Sequence, residues 1–376
     1  MKKILLGTTA IVAAGMIVSA PAAFAAEKLK LSVGGYMEQW FGYVSQEDGV
    51  GQDFSGIDVK SDAEIHFKGS TKLDNGITVG VNVQLEANQN NADQIDESYL
   101  IVKGGFGEIN LGDENSAMYK MNYAPSEFGI GINSGDQTAW LSTVGTGGAT
   151  GAKISEGGYF RSPFGSTYIE PLGVNDSTKL TYYTPRIEGV QLGLSYSPDS
   201  LQDSNSMSNR ITGNSDLVMA GLNFNRTFEG TNIRGSLGYG TVLDAANDGD
   251  KATAFNAGLG VAAGGFAVGA AYSAFDKSGG KNGYGLNLGG NYTSGPWGVS
   301  LSYFHGEKDG TGAVTTLSGQ GAQDTFLLST KYAMGPGITA NATLGQATFS
   351  SDDAALDNKT NEVSAKYVVV GMRLSF

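Results

Sequence analysis

The chain has 376 residues, a formal net charge of −13 and no cysteine, which excludes disulfides, thiolate chemistry and cysteine-held metals and argues against nucleic acid as a partner. Its 57 glycines against 8 prolines, with 17 tyrosines and 17 phenylalanines, fit many strands joined by tight turns. Beyond the N-terminal region no apolar run reaches the ~20 residues of a spanning helix; that excludes a helical membrane protein but not a β-barrel, whose alternating faces average to a soluble-looking composition.

The first element in chain order is a leader. Residues 1–25, MKKILLGTTAIVAAGMIVSAPAAFA, carry two lysines, an apolar run from Ile4 and the small-x-small sequence Ala23-Phe24-Ala25, the pattern of a secretory signal peptide. Cleavage after Ala25 is expected, leaving one barrel domain over 26–376 that is more acidic for the loss of Lys2 and Lys3.

Period-two alternation then dominates. In DAEIHFKGSTKL, Ala63, Ile65 and Phe67 alternate with Asp62, Glu64, His66 and Lys68; in GITVGVNVQLEAN, Ile77, Val79, Val81, Val83 and Leu85 alternate with Thr78, Asn82, Gln84 and Glu86. The pattern predicts strands at 28–44, 59–73, 76–88, 95–104, 106–112, 177–185, 189–198, 215–227, 231–243, 251–262, 265–276, 282–293, 297–306, 322–333, 337–350 and 359–376, sixteen in all. An even number suits an up-and-down barrel whose first and last strands meet antiparallel. Every second connection is a tight turn, such as Asp74-Asn75-Gly76, Glu229-Gly230 or Gly295-Pro296, and those between are long and acidic, at about 45–58, 113–176, 199–214, 307–321 and 351–358. A soluble sandwich has no reason to sort its connections by length in this way.

Aromatics on the apolar parity fall in two groups. Phe41, Tyr43, Tyr196, Tyr239, Tyr272 and Tyr303 lie toward the long-loop ends of strands, and Phe228, Phe266, Tyr292, Trp297, Tyr332 and Phe376 toward the tight-turn ends, as two membrane-interface girdles require. The fold expected is therefore all-β, a sixteen-stranded antiparallel transmembrane barrel, too wide for side chains to fill and so enclosing an aqueous channel. The connection at 113–176, about 64 residues long, far exceeds an ordinary loop and is expected to fold into the lumen and narrow it.

The leader, IHFKGSTKLDNGITVGVNVQLEA, GGFGEINLGDE, KLTYYTPRIEGVQLGLSYSP and the terminal Phe376 resemble the general porins of Gram-negative bacteria, particularly those of alphaproteobacteria. The resemblance implies an outer-membrane homotrimer whose third extracellular loop forms the constriction, passing small hydrophilic solutes. It also implies that Phe376, preceded by Val368, Val370, Met372 and Leu374 on one face, is the address read by the barrel assembly machinery. PSEFG, Pro125 to Gly129, is similar to the acidic tip of the porin constriction loop and makes Glu127 the expected constriction acid, with Asp136 a second. The family sets such acids against basic side chains on the facing wall; parity turns Glu64, His66 and Lys68 into the lumen at mid-height of the second strand, with Lys60 nearer its outer end. With few cations opposing Asp113, Glu114, Glu127, Asp136, Glu156, Glu170 and Asp176, weak cation selectivity is expected.

Other classes fare less well. Two histidines, His66 and His305, are too few for a triad or a metal site, and GTGGATGAK lacks the Gly-Lys-Ser/Thr of a phosphate loop, so no enzyme and no cofactor is expected. DAANDGDK, Asp244 to Lys251, departs from calcium-loop spacing, although acidic loops can hold calcium weakly or bridge to lipopolysaccharide through divalent cations. A sugar-selective channel is the alternative, with Tyr36, Trp40, Tyr119, Tyr123, Trp140 and Tyr159 available as an aromatic track. Gly35, Ala220 and Gly221 are small residues expected on the outer face, where a second copy could pack.

Overall fold

The computed structural model describes residues 28–46, 48, 53–88, 94–134, 139–142, 165–172, 174–202, 207–211, 214–244, 251–276, 282–309, 320–351 and 362–376. Its strands are β1 (Lys30–Gln46), β2 (Ile57–Lys72), β3 (Thr78–Glu86), β4 (Ile95–Gly104), β5 (Gly107–Asp113), β6 (Thr178–Tyr183), β7 (Val190–Asp199), β8 (Ser215–Phe228), β9 (Thr231–Asp244), β10 (Thr253–Ala263), β11 (Phe266–Asp276), β12 (Gly283–Ser294), β13 (Trp297–Asp309), β14 (Gln320–Gly335), β15 (Ile338–Ser351) and β16 (Glu362–Ser375). One short helix, α1 (Ala117–Lys120), follows β5. Each strand pairs antiparallel with its sequence neighbours, and β1 pairs with β16, so the sheet closes into a barrel.

Closure is what a bilayer demands, since an open strand edge would leave N–H and C=O groups without partners in hydrocarbon. At the seam Met37 faces Leu374 and Phe41 faces Val370. Below the ladder, Gly35 and Phe376 exchange two backbone bonds, of 3.0 and 3.1 Å.

The sixteen expected strands all appear, and they differ mainly at their outer ends. β13 runs on to Asp309 and β14 begins at Gln320, because above the hydrocarbon a strand no longer needs an apolar face and the alternation that marks it fades. Among the tight turns, Glu229 and Gly230 both take positive φ, 47° and 85°, the pair of values that matches hairpin twist.

Residue parity is inverted relative to a soluble protein. The outward side chains are large and apolar, such as Leu31 (74% exposed), Leu259, Leu301 and Trp297, and the two aromatic groups sit on this outer face. Within them the tilted rings of Phe266 and Tyr292 lie 4.3 Å apart and those of Trp297 and Tyr332 4.4 Å apart. The buried positions face inward and many are polar: Ser195, Ser236, Asn256, Ser300 and Thr343. Gly221, expected on the outer face, points inward instead, where the third loop lies against it.

Candidate functional site

The third loop folds into the lumen and runs along the inner wall. A chain crossing a lumen has no neighbouring strand to satisfy its amides, so it needs acceptors from the wall. Hydroxyls supply them: Ala117 N–H donates to Ser195 Oγ on β7 (2.8 Å), Tyr123 to Ser236 Oγ on β9 (2.9 Å), Phe128 to Ser300 Oγ on β13 (3.0 Å) and Ile130 to Thr343 Oγ1 on β15 (3.3 Å). Between them the wall is paved with glycine so that the loop backbone can lie close. A Cβ on Gly221 would stand 2.6 Å from the Ala117 carbonyl oxygen, and one on Gly258 1.8 Å from that of Tyr123. Gly258→Val therefore leaves the barrel ladder intact and pushes the loop off β9 and β10; the expected result is an altered single-channel conductance with unchanged β-sheet circular dichroism.

The root of the loop is an ionic knot. Glu114 is fully buried, and its Oε2 accepts from Lys120 Nζ at 2.6 Å and Asn110 Nδ2 at 3.1 Å. Burial pulls the Lys120 pKa down, but the charge and hydrogen bond of Glu114 together with Tyr183 and Tyr99 outweigh it and leave the ammonium above its ordinary value. Lys179, 1% exposed, donates to the carbonyls of Glu114, of Ser177 at 2.6 Å and of Asn175 at 3.0 Å. Asp113 accepts from Thr178 Oγ1, and Glu170 accepts from the Ser116 amide at 2.8 Å. These acids are thus committed to holding the loop in place.

The far end of the described loop is held by apolar packing inside the barrel. Ile130, Ile132 and Trp140 bury against Phe304 on β13, Leu327 on β14, Phe349 on β15, Val363, Tyr367 and Val369 on β16, and Trp40 on β1. Glu127 belongs to this tip: it is half-buried, and its Oε1 accepts from the Ile132 amide at 2.7 Å, closing the turn. Asp136 lies outside the described residues, as do Glu156, Tyr159 and 245–250 of the DAANDGDK stretch.

Among the described residues the loop coats the wall from β7 round to β16, reaches the outer ends of β1 and β2 through Trp140 and Ser142 and touches β4 through Asn115 and Lys120, and leaves the rest of the inward faces of β1 to β4 bare. Between that bare wall and the loop is a recess of about 610 Å³. Glu38, Asp62, Glu64, Glu86, Asp96 and Glu97 line it from the wall, Asn115, Tyr119 and Ser134 from the loop, and Arg373 from β16. The Tyr36 hydroxyl lies 2.9 Å from both Asp62 and Glu64, and His66 Nε2 lies 2.7 Å from Glu64. Glu64, Glu86 and Asp96 each place a carboxylate oxygen within 4.8 Å of the others. Arg373 pairs with Glu38, whose other oxygen accepts from Trp40 Nε1 at 3.0 Å.

Of the residues anticipated on the facing wall, the structure gathers Glu64 and His66 at the recess. Lys68 lies below it, paired in register with Ser32 and Asn82. Lys60 stands near the outer rim, 2.5 Å from Asp58 and 5.1 Å above the Trp140 ring. Glu38, Glu86, Asp96, Glu97 and Arg373 were not anticipated, and all but Asp96 are legible by parity.

The geometry defines a class: a membrane-spanning barrel with a water-lined passage constricted from within by one inserted loop. A family model for Gram-negative porins matches residues 7–352, and the chain belongs to that family of non-enzymatic outer-membrane channels. Among solved structures, it is similar to an anion-selective porin from Comamonas acidovorans (TM-score 0.59, 17% identity, 93% of this chain and 100% of that one). It is also similar to the trimer form of OmpT from Vibrio cholerae (0.57, 12%, 93% and 100%) and to OmpF of Salmonella typhi in complex with daunomycin (0.55, 14%, 92% and 97%). An uncharacterized protein of Rickettsia conorii is 27% identical over 143 residues, which are 34% of this chain and 29% of that one.

Proposed function

We propose that the barrel is a general diffusion channel for small hydrophilic solutes and ions, with a weak preference for cations. The observation that carries this reading is the identity of the wall beside the recess: the surface left open by the described residues of the loop presents Asp62, Glu64, Glu86 and Asp96, with Glu38 paired to Arg373. Carboxylates lining a narrow water-filled passage raise the local concentration of cations. The Comamonas acidovorans porin is described as anion-selective, but at this identity the likeness extends to the fold alone. The test is the reversal potential of the purified protein in a planar bilayer under a potassium chloride gradient; a sign favouring chloride overturns the selectivity.

A sugar-type track is disfavoured because the rings it needs are occupied. Trp40 and Trp140 are each 5% exposed within the apolar packing of the loop tip. Arg373 covers Tyr36 at 4.2 Å, Arg234 covers Tyr123 at 5.3 Å, and Tyr119 packs against Tyr168 at 5.2 Å.

The same reading includes a homotrimer in the outer membrane, reached after removal of residues 1–25 and with Phe376 read by the assembly machinery. Supporting the trimer, Gln39 and Ser61 face outward side by side in register between β1 and β2, and polar side chains at mid-strand suit a protein neighbour better than hydrocarbon. Conductance steps arriving in threes would support it.

A further inference from the structure

The bare wall carries more than the recess. Strand register orders its inward side chains in successive rows, beginning at the outer end with Glu38 beside Asp62, then Tyr36, Glu64 and Glu86, then His66, Gln84 and Glu97. Toward the tight turns the sign changes. The next row sets Lys68 between Ser32 and Asn82, and the last sets Lys72 and Lys103 on either side of Thr78.

The same change of sign continues round the barrel beneath the third loop. One inward place nearer the tight turns than the anchors Ser236 and Ser300 come Arg234, two residues before Ser236 on β9, and Lys331 on β14, in register with Gly298. The Arg234 guanidinium lies 5.3 Å over the loop's Tyr123 ring and the Lys331 ammonium 4.1 Å over its Phe128 ring, so both face the lumen from below the loop. Arg186, just after β6, donates to Gln191 Oε1 at 2.8 Å and to Asn223 Oδ1 at 2.7 Å, which holds it on the inner wall as well. Among the described residues Lys68, Lys72, Arg186, Arg234 and Lys331 make no ion pair. Lys30 has a partner and adds nothing to this sum. On the strands of this half Glu108 is the one described inward carboxylate, and it lies 3.2 Å from Lys103. Charge is therefore segregated along the channel axis, with Asp62, Glu64, Glu86 and Asp96 toward the outer mouth and these cations toward the tight turns.

We propose that the passage holds two opposed ion filters in series, acidic at the outer mouth and basic at the periplasmic end, and therefore conducts unequally in the two directions. Fixed charges beside a water-filled passage concentrate ions of the opposite sign. With the outer mouth positive, cations enter through the acidic zone and anions through the basic one; both gather at the boundary between the Glu97 and Lys68 rows, and conductance rises. With the polarity reversed both drain from that boundary, and each replacement has to cross the zone that repels it. The asymmetry needs a screening length comparable with the bore, about 10 Å in 0.1 M salt, and fades in 1 M salt, where that length is about 3 Å. The proposal rests on the channel reading and goes beyond its selectivity: the recess, narrowed by the loop, sets the net preference for cations, and the basic zone adds the direction.

The test is recording from the purified full chain in symmetric potassium chloride, reading the instantaneous current at equal and opposite voltages. Orientation is fixed with a thiol: the chain has no cysteine, and Gly335→Cys, at a tight-turn position where an added Cβ meets nothing within 4 Å, supplies one at the periplasmic end. Coupled to biotin, it shows by streptavidin binding from one chamber which way the channel faces. The expected result is about twice the current with the outer mouth positive in about 0.1 M salt, and equal currents in about 1 M. Lys68→Glu with Lys72→Glu brings the ratio in dilute salt to about one with unchanged β-sheet circular dichroism, while Lys366→Glu, on the outer face near the loop end, leaves it as it was. Equal currents in dilute salt, a larger current in the other direction, or a double variant that rectifies as the parent does overturn the proposal and leave the pore standing. Absence of channels overturns the pore itself and the proposal with it.

Discussion

Ile130→Asp is expected to detach the third loop from the barrel wall and to give a larger, noisier single-channel conductance. Ile130 is fully buried at the centre of the packing between the loop tip and β13 to β16. An unpaired carboxylate there costs several kcal/mol, and the loss of the apolar contacts adds about 2–5 kcal/mol on the scale of large-to-small core substitutions. On this side of the barrel the backbone hold consists of the Ile130 amide on Thr343 at 3.3 Å and the Phe128 amide on Ser300 at 3.0 Å. Hydrogen bonds of this kind contribute about 0.5–1.5 kcal/mol each, so they cannot retain the tip against the charge. The barrel ladder involves none of these groups, and its strand content stays the same. Ile130→Val, costing about 0.5–1.5 kcal/mol, leaves the conductance as it was. An Ile130→Asp channel with the parent's conductance and no added protease sensitivity in the loop would show that the apolar packing does not set the bore.

The second large effect concerns charge. Replacing the four recess acids together, Asp62→Asn, Glu64→Gln, Glu86→Gln and Asp96→Asn, is expected to reverse the selectivity. A unit charge about 10 Å from a permeating ion in a water-filled passage is worth about 0.4 kcal/mol, or a factor of about two in local concentration. Four such charges amount to roughly an order of magnitude in local cation concentration at low salt, less where salt screens them. After the exchange, Lys30, Lys68 and Lys103 dominate the bare wall, so chloride should pass more readily than potassium. The reversal potential in dilute salt reads the outcome; a quadruple variant with the parent's potential would move the filter elsewhere. The same four changes on Asp113, Glu114, Glu170 and Asp176 are expected to behave differently, because Glu114 holds Lys120 and Glu170 holds the Ser116 amide. There the loss appears as loop instability.

Much of the architecture was legible because a barrel strand must satisfy two solvents at once, and a period of two is the record of that. Strand number, the sorting of connections by length and the two aromatic groups all follow from it, as does the inward folding of one overlong loop. The route of that loop was written in the sequence as well, but in signs that mean little until the loop is in place. Gly193, Gly238, Gly240, Gly258 and Gly298 share the inward parity and form its bed, though in a chain with 57 glycines none of them stands out. In β16, Tyr367 and Val369 face inward between outward Val368 and Val370. A strand apolar on both faces is buried on both, and the second cover is the loop tip.

The charges of the site were harder to place. Spacing shows that Asp113 and Glu114 stand at the loop's start, but whether a carboxylate meets water or a protein partner can depend on a residue 65 positions away, as with Asp113 and the Thr178 hydroxyl. The wall acids Glu38, Glu86 and Glu97 had readable parity. What parity cannot supply is which arc of the wall stays uncovered, and that decides which inward side chains an ion meets.

The seam between β1 and β16 joins Gln46 to Ala365 and Met37 to Leu374, so the earliest strand finds its mate only after every other strand exists. Until then two unpaired edges remain, and hydrocarbon tolerates neither. Entry into the bilayer and completion of the ring are consequently one event, and any helper that escorts the chain must shield both margins until they meet.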